Sequence, residues 1–269
     1  MFNFFSRPTH RIGVAFGGGG ARGFAHIGAL QAMDEVGIRP DIVAGVSAGA
    51  VVAVMYAAGL SPKEMLEAFD GYSFTDFCKI GMPRGGFFAM DGFKDFVRRT
   101  TGVNRLEQLQ IPTVIGATDF VAGRPVAFEQ GDIGDVVAAS CSIPIVFKPV
   151  TIDGVRYVDG GVLHNLPAWT IRSRCRNLFG INVSCLPVRE VGTSVIDMAM
   201  RSYELVTKTN SIQDMRLCDL VIAMDDIAGY KVFNLREIKK VYQIGYINTM
   251  DVLLANGFSP RNRHPRRHV

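Results

Sequence analysis

Two glycine-rich stretches lie near the start of the chain: VAFGGGGARGFAHIGAL at residues 14–30 and GVSAG at residues 45–49. Each follows a short apolar run and leads into a segment of helical character, so both predict a tight turn from a strand into a helix. Glycine loops in this position bring backbone amides to an anion, because no side chain blocks the approach. The anion is either a bound cofactor phosphate or a charge that develops during a reaction.

Outside these stretches, apolar runs alternate with helical segments. Strands are predicted over residues 11–16, 41–46, 113–119, 124–128, 155–158, 178–184 and 220–223. Helices are predicted over residues 24–36, 48–58, 132–142, about 194–215 and about 235–256, and Ser61-Pro62 has the form of a further helix start. The alternation predicts an α/β fold, a three-layer sandwich with a largely parallel central sheet, in which functional residues lie at the carboxyl ends of the strands.

The composition predicts one globular domain. The 269 residues are 48% hydrophobic and 20% charged, with no linker-like, repetitive or low-complexity segment. We expect an N-terminal extension over residues 1–10, a single α/β domain over 11–256 and a disordered basic tail over 257–269.

The net charge of +4 is located in that tail, which contains Arg261, Arg263, Arg266 and Arg267 and no acidic residue. A solvated chain end is one interpretation, and a transient contact with an anionic membrane surface is the other. The basic residues form no stripe with interleaved aromatics, which argues against nucleic-acid binding.

The apolar segment at residues 42–60 contains no charged residue, and its length alone would fit a membrane span. GVSAG lies inside it, however, and predicts two shorter buried elements joined by a turn.

The five cysteines are scattered without C-x-x-C spacing, and the N-terminus lacks the apolar core of a signal peptide. Both features predict a cytoplasmic protein with reduced thiols.

The residues after the first glycine run exclude a P-loop. Gly18 and Gly23 have the required spacing, but Phe24 and Ala25 occupy the positions of the lysine and hydroxyl residue that contact phosphate and magnesium. Gly18, Gly20 and Gly23 also match the G-x-G-x-x-G pattern of dinucleotide sites, which requires an acidic residue at the carboxyl end of the next strand. GVSAG occupies that place, so dinucleotide binding is disfavoured.

GVSAG has the G-x-S-x-G spacing of a nucleophile elbow, in which a serine projects from a sharp turn between strand and helix. The helix that follows directs its positive end at the Ser47 hydroxyl. Tight packing of helix on strand also explains such glycines, but the neighbouring glycine loop adds amides suited to an oxyanion hole, and the pair favours catalysis. Arg22 either adds positive charge to that loop, anchors it, or pairs with a structural carboxylate.

Two residues compete for the role of the base. His164 follows Asp159 by five residues and completes the order serine, acid, histidine, but the two are too close to come from separate loops. Asp159 itself ends an apolar strand and precedes Gly160 and Gly161, and a partly desolvated carboxylate there can act directly as a base. A plain β-turn is the other interpretation of Asp-Gly-Gly. His26, one turn into the first helix, is expected to brace the glycine loop.

Three motifs in combination resemble those of the bacterial patatin-like phospholipases: GGGGARG at 17–23, GVSAG at 45–49 and DGG at 159–161. The stretches ATDFVAGRPVAF at 117–128 and ASCSIPIVFKPV at 139–150 resemble the same family. The resemblance covers residues 11–185 at the level of motifs and extends more loosely to about residue 256.

The resemblance implies a lipid acyl hydrolase that works through an acyl-enzyme, without metal or cofactor. It implies a dyad without histidine, with Ser47 as nucleophile and Asp159 as base. The oxyanion loop it implies comprises Gly18, Gly19, Gly20, Arg22 and Gly23. The motif glycines it implies are Gly45, Gly49, Gly160 and Gly161. The expected partner is a phospholipid or another acyl ester; the alternative is a lipid- or partner-binding regulatory protein with weak or no turnover.

The segment at residues 72–93 combines six aromatic residues with glycines and a proline. A mobile flap over an acyl-chain cleft is one interpretation of this composition. Aromatics that complete the core beneath a long connection are the other.

Overall fold

The computed structural model describes residues 8–77, 79–80, 88–188 and 190–260. Its strands are β1 (His10–Phe16), β2 (Ile42–Gly45), β3 (Lys79–Ile80), β4 (Phe88–Ala89), β5 (Thr113–Asp119), β6 (Arg124–Phe128), β7 (Val150–Ile152), β8 (Val155–Asp159), β9 (Cys175–Asn182) and β10 (Leu220–Ala223). Its helices are α1 (Phe24–Glu35), α2 (Ala48–Ala57), α3 (Pro62–Glu67), α4 (Phe74–Phe77), α5 (Asp91–Thr101), α6 (Ile133–Ser140), α7 (Ala168–Ile171), α8 (Val195–Met215) and α9 (Ile238–Ala255).

The central sheet of the described chain is mixed, with the strand order β10-β9-β1-β2-β5-β8-β7 and β6 also paired with β5. The neighbours from β10 to β5 are parallel, whereas β6 and β8 run antiparallel to β5, and β7 antiparallel to β8. The expectation of a largely parallel sheet is therefore wrong. The cause is local, because short turns at Gly123 and at Asp153-Gly154, with positive φ at all three residues, fold the chain into hairpins.

Helices cover both faces of the sheet. On β1, the side chains of Val14 and Phe16 enter the larger core with α1, α2, α6 and α9, while Ala15 faces a smaller core that includes Ile171 of α7. This arrangement is an α/β sandwich. It places the ends of β1 and β2, and the loops that follow them, side by side.

Most predicted elements are confirmed to within a few residues, and 113–119, 124–128 and 220–223 match in full. Ser61 caps α3 through a reciprocal pair of hydrogen bonds with Glu64. The sequence interpretation did not include α5, β7 or the small β3–β4 hairpin. The apolar segment 42–60 divides into β2 and α2 as expected, and among the described residues no helix combines the length and apolarity needed to cross a membrane.

The two chain ends lie largely outside the described residues. Residues 1–7 and 261–269, which include all four arginines of the basic tail, are not described. The division into an extension over 1–10, a domain over 11–256 and a tail therefore remains a prediction.

Helices α1 and α9 touch backbone to backbone. A Cβ atom added at Gly245 would overlap the carbonyl oxygen of Ala25, and one added at Gly28 would overlap that of Tyr242. Close approach of this kind requires glycine, because the obstructing atoms belong to helix backbones and cannot rotate away.

We expect Gly245→Ala to lower the free energy of unfolding by about 1–3 kcal/mol, the usual cost of overpacking. Gly229→Ala is the control, since an added Cβ there meets nothing within 4 Å, and it should change the free energy by less than about 0.5 kcal/mol. Urea unfolding monitored by circular dichroism measures both. Equal stability of the two variants would contradict the close contact between α1 and α9.

Candidate active site

Ser47 occupies a strained turn between β2 and α2. Its φ of 54° and ψ of −124° are unfavourable for any residue with a side chain. The turn is tight because Gly45 packs against the backbone of Ala50, and Gly49 packs against the carbonyl of Phe16, where a Cβ would overlap. This is the geometry of a nucleophile elbow, and it presents the serine hydroxyl at the carboxyl end of β2.

Ser140, the last residue of α6, holds this turn in place. Its buried hydroxyl accepts a hydrogen bond from the Ser47 amide (2.9 Å) and donates one to the carbonyl of Gly116 in β5 (2.6 Å). The elbow is thus attached to both a helix and the central sheet. Sequence reasoning did not single out Ser140, although it lies in the ASCSIPIVFKPV stretch.

Asp159 ends β8 and is fully buried. Its Oδ1 accepts a hydrogen bond from the Gly161 amide (2.8 Å), and its own amide donates to the carbonyl of Ser142 (2.9 Å). Gly160 is required next to it, because a Cβ there would lie 2.6 Å from the Gly116 carbonyl oxygen. The backbone on both sides of the carboxylate is therefore fixed.

Burial raises the pKa of Asp159 from 3.8 to about 6, against the opposing effects of the Gly161 amide and of the Ser47 and Tyr203 hydroxyls beside it. Neither hydroxyl completes a hydrogen bond of ordinary geometry with Oδ2, which has no such partner among the described residues. The structure thus brings the two sequence-predicted residues, Ser47 and Asp159, together in a dry environment.

The glycine loop after β1 leaves two amides available. The Gly18 amide donates to the carbonyl of Asn165 (3.1 Å) and is occupied, whereas those of Gly19 and Gly20 have no acceptor among the described residues. Gly20 has a φ of +56°, and a Cβ on Gly23 would lie 2.5 Å from that of Ala48, at the start of α2. The loop is therefore packed against the elbow, and among the described residues the amides of Gly19 and Gly20 are available to a ligand whereas that of Gly18 is not.

Arg22 serves as an anchor, one of the roles that the sequence left open. Its guanidinium, almost fully buried, donates to the carbonyls of Cys185, Ala228 and Tyr230 and lies 3.8 Å from Glu204. These contacts tie the glycine loop to segments about 160 to 210 residues later in the chain. The charge of Arg22 is therefore engaged in these contacts, and its amide donates to the carbonyl of Gly19 within the loop (3.2 Å).

Neither His26 nor His164 forms a triad with Ser47. His26 is fully buried and its Nε2 bonds the Gly17 carbonyl (2.8 Å), so it braces the glycine loop as predicted. Burial lowers the pKa of His26 to about 4, and the ring is neutral at pH 7. His164 contacts Asp214 through Nδ1 (2.9 Å) and packs on Trp169, whereas Asp159 bonds the Gly161 amide. The alternative triad through His164 is therefore not formed.

An apolar cavity of about 130 Å³ opens beside Ser47. Its lining combines part of the glycine loop with α1, α2 and a cluster of aromatic side chains, among them Phe24, Phe69, Phe77, Phe93, Phe147 and Phe233. A cavity of this lining suits a hydrocarbon chain, because the side chains around it are almost all apolar.

Part of the aromatic segment at 72–93 lines that cavity. Phe77 and Phe93 are buried, and Phe77 stacks on Tyr72. Cys78 and residues 81–87 lie outside the described residues. The described aromatics fit a wall of the cavity, and whether the segment moves as a flap stays a prediction.

The buried carboxylate should leave a pH signature on stability. The pKa of Asp159 is 3.8 in the unfolded state and about 6 in the folded state, so folding favours the protonated carboxyl. The free energy of unfolding of wild type should therefore fall by about 3 kcal/mol as the pH rises from below 4 to above 6. Asp159→Asn has no carboxyl at this position, so this decrease in its free energy of unfolding does not occur. Its free energy of unfolding relative to wild type should therefore increase by about that amount between pH 3.5 and pH 8. Urea titrations across this range test it, and a constant difference would contradict the buried, ionisable base.

Comparison with known proteins supports this arrangement at the level of family and fold. A family model described as Patatin-like phospholipase matches residues 14–171. An uncharacterized NTE family protein of Mycobacterium tuberculosis is 36% identical over 168 residues, which are 58% of this chain and 44% of that protein. Lysophospholipase NTE1 of Saccharomyces cerevisiae is 29% identical over 182 residues, 64% of this chain and 11% of that protein.

Among solved structures, VipD from Legionella pneumophila aligns with a TM-score of 0.59 and 16% identity, over 92% of this chain and 67% of VipD. At that identity the likeness concerns the fold alone. The match spans less than half the length of the two relatives in sequence. The family model, in contrast, covers more than half of this chain, and it includes Ser47, Asp159 and the glycine loop. The chain belongs to the patatin-like phospholipase family.

Proposed function

We propose that the protein is a lipid acyl hydrolase of the phospholipase A type, with Ser47 as nucleophile and Asp159 as base. The observation that carries the proposal is the position of Ser47. It lies on a strained elbow beside a buried carboxylate, an apolar cavity and two amides that have no acceptor among the described residues. Nucleophile, base, oxyanion donors and a binding site for the acyl chain thus meet at one residue.

In the first half of the reaction, the Ser47 hydroxyl attacks the ester carbonyl and its proton passes to Asp159. A carboxylate of ordinary pKa is a weak base, but Asp159, with a pKa of about 6, is ionised at neutral pH and closer to the basicity that proton transfer needs. The leaving alcohol takes that proton, and the acyl group remains on Ser47.

The negative charge on the tetrahedral intermediate is stabilised by the amides of Gly19 and Gly20, which have no other acceptor among the described residues. Each donor of this kind contributes about 3 kcal/mol in the transition state. The amino end of α2, which begins directly after Ser47, adds a favourable dipole.

The substrate class follows from the apolar cavity and from the family. One acyl chain of a phospholipid or a related ester would occupy the cavity, with its carbonyl at Ser47. The yeast relative is named a lysophospholipase, and a lipid with a single acyl chain would place that chain in the apolar cavity beside Ser47. We place the enzyme in the cytoplasm, in transient contact with a membrane surface through its basic tail.

Replacement of either dyad residue should abolish turnover. Ser47→Ala and Asp159→Asn should each lower kcat/KM for a p-nitrophenyl acyl ester and for lysophosphatidylcholine by at least about a thousandfold. His164→Asn is the control, because asparagine retains a donor toward Asp214, and its activity should stay within about threefold of wild type.

The result also separates hydrolysis from the alternative of a lipid- or partner-binding protein with weak or no turnover. Wild type that neither hydrolyses these esters nor reacts at Ser47 with a fluorophosphonate probe would favour the binding role. Full activity in Asp159→Asn would exclude the dyad, and inactive but folded His164→Asn would restore the triad.

The activity should depend on pH through Asp159. Because the carboxylate must be ionised to accept the serine proton, kcat/KM should fall below a midpoint near pH 6 and reach a plateau above it. A pH–rate profile with a soluble short-chain ester measures this midpoint. A midpoint below pH 4.5 would mean that the base is not a buried carboxylate.

A further inference from the structure

A second, smaller cavity shares Ser47 and Gly20 with the apolar one. It measures about 30 Å³, and we call it the polar cavity because its lining includes Asn165, Tyr203 and Thr207. One water molecule needs roughly 10–15 Å³ measured in this way, so the polar cavity has room for about two waters and is too small for a lipid head group.

Two buried polar atoms of this lining, Oδ1 of Asn165 and the hydroxyl of Tyr203, have no hydrogen-bond partner of ordinary geometry among the described residues. The same holds for Oδ2 of Asp159, which is not part of the lining but lies beside the Tyr203 hydroxyl. Each such atom is costly, by about 1–3 kcal/mol, unless it has a role. Two such atoms on the lining, with a third beside Tyr203, indicate a site for a small polar molecule.

The glycines of the site show how close these atoms are to one another. A Cβ on Gly161 would overlap the Tyr203 hydroxyl and lie 2.8 Å from Asn165 Oδ1. A Cβ on Gly18 would lie 2.5 Å from the same Oδ1 and 3.1 Å from the Cβ of Ser47. The hydroxyls of Ser47 and Tyr203 both flank the Asp159 carboxylate. The unpaired atoms therefore surround the nucleophile on the side of its base.

We propose that the polar cavity holds the water that hydrolyses the acyl-enzyme, with Tyr203 and Asn165 as its positioning residues. This inference rests on the proposed function, since it concerns the acyl group on Ser47. Tyr203 donates its O–H to the water oxygen, while the water donates one hydrogen to Asn165 Oδ1 and the other to Asp159 Oδ2. The remaining lone pair of the water is then free to face the acyl carbonyl.

The water oxygen forms a bond to the carbonyl carbon, its proton moves to Asp159 Oδ2, and the carbonyl π electrons move to the oxygen held by the loop amides. When the intermediate collapses, the bond between that carbon and Ser47 Oγ breaks, and the proton on Asp159 passes to Oγ. A free fatty acid, the serine hydroxyl and the ionised carboxylate result.

The hydrogen-bonding capacities agree with these roles. Asn165 uses its Nδ2 on the Gly18 carbonyl (3.2 Å), which turns Oδ1 toward the polar cavity as an acceptor. Burial and the nearby carboxylate raise the pKa of Tyr203 well above its usual value, so the hydroxyl keeps its proton and acts as a donor. Glu204 and Arg22, which also line the polar cavity, are engaged with each other.

The inference predicts a defect confined to the second half of the reaction. Tyr203→Phe removes only the unpaired hydroxyl. In rapid mixing with a p-nitrophenyl acyl ester at pH 8, where Asp159 stays ionised although loss of the hydroxyl raises its pKa, deacylation should slow by about tenfold, while acylation stays within about threefold of wild type. The variant should then release p-nitrophenol in a burst near one equivalent and carry the acyl mass on Ser47. Hydroxylamine, which cleaves the trapped ester without the positioned water, should restore turnover. Tyr242→Phe on α9 is the matched control and should show none of these effects.

The possible outcomes separate the inference from the function on which it rests. If acylation and deacylation of Tyr203→Phe fall together, or neither changes, the polar cavity is not the water site, whereas the dyad stands. If wild type never acquires an acyl group on Ser47, both proposals fail. A folded variant that accumulates acyl-enzyme and is rescued by hydroxylamine supports the assignment.

Discussion

The left-handed backbone of Ser47 is the constraint on which the rest of the site depends. A conformation with φ of 54° costs on the order of 1–3 kcal/mol for a residue with a side chain, and it persists only where the surroundings enforce it. Here Gly45 and Gly49 allow the backbones to touch, and Ser140 binds the Ser47 amide. This backbone conformation places the Ser47 hydroxyl beyond the carboxyl end of β2, at the amino end of α2 and beside Asp159.

Burial is the second condition, and it serves two purposes. The same exclusion of water that makes the cavity beside Ser47 suitable for a hydrocarbon chain also keeps Asp159 poorly solvated and raises its pKa. The protein thus obtains a usable base without a histidine, at a cost in stability at neutral pH. Such a cost is common at active sites, where function and stability place opposite demands on one residue.

The sequence is informative where chemistry depends on local backbone geometry. The glycine run, GVSAG and DGG each require conformations or close contacts that only glycine permits, so their positions predicted the elbow, the loop and the end of β8. The turns at Gly123 and at Asp153-Gly154 are equally local, and their glycines are the residues in the sequence that indicate the hairpins of the mixed sheet.

Residues that reach the site from distant parts of the chain have no comparable motif in the sequence. Ser140, Asn165 and Tyr203 are common residue types on separate segments, and only the tertiary fold brings them to Ser47. Arg22 illustrates the same limit, because its anchoring carbonyls at Ala228 and Tyr230 lie more than 200 residues away. The sequence could propose its roles but could not choose among them.

The most direct test of the account is to locate the covalent intermediate. Wild type is mixed with a lysophospholipid, quenched in acid within milliseconds and digested, and the peptides are searched by mass spectrometry for the mass of the acyl group. The account predicts the acyl group on Ser47 and on no other residue. Hydrolysis that proceeds with the acyl group on another side chain, such as the neighbouring Cys141 of the cavity wall, or with no adduct at all, would contradict it.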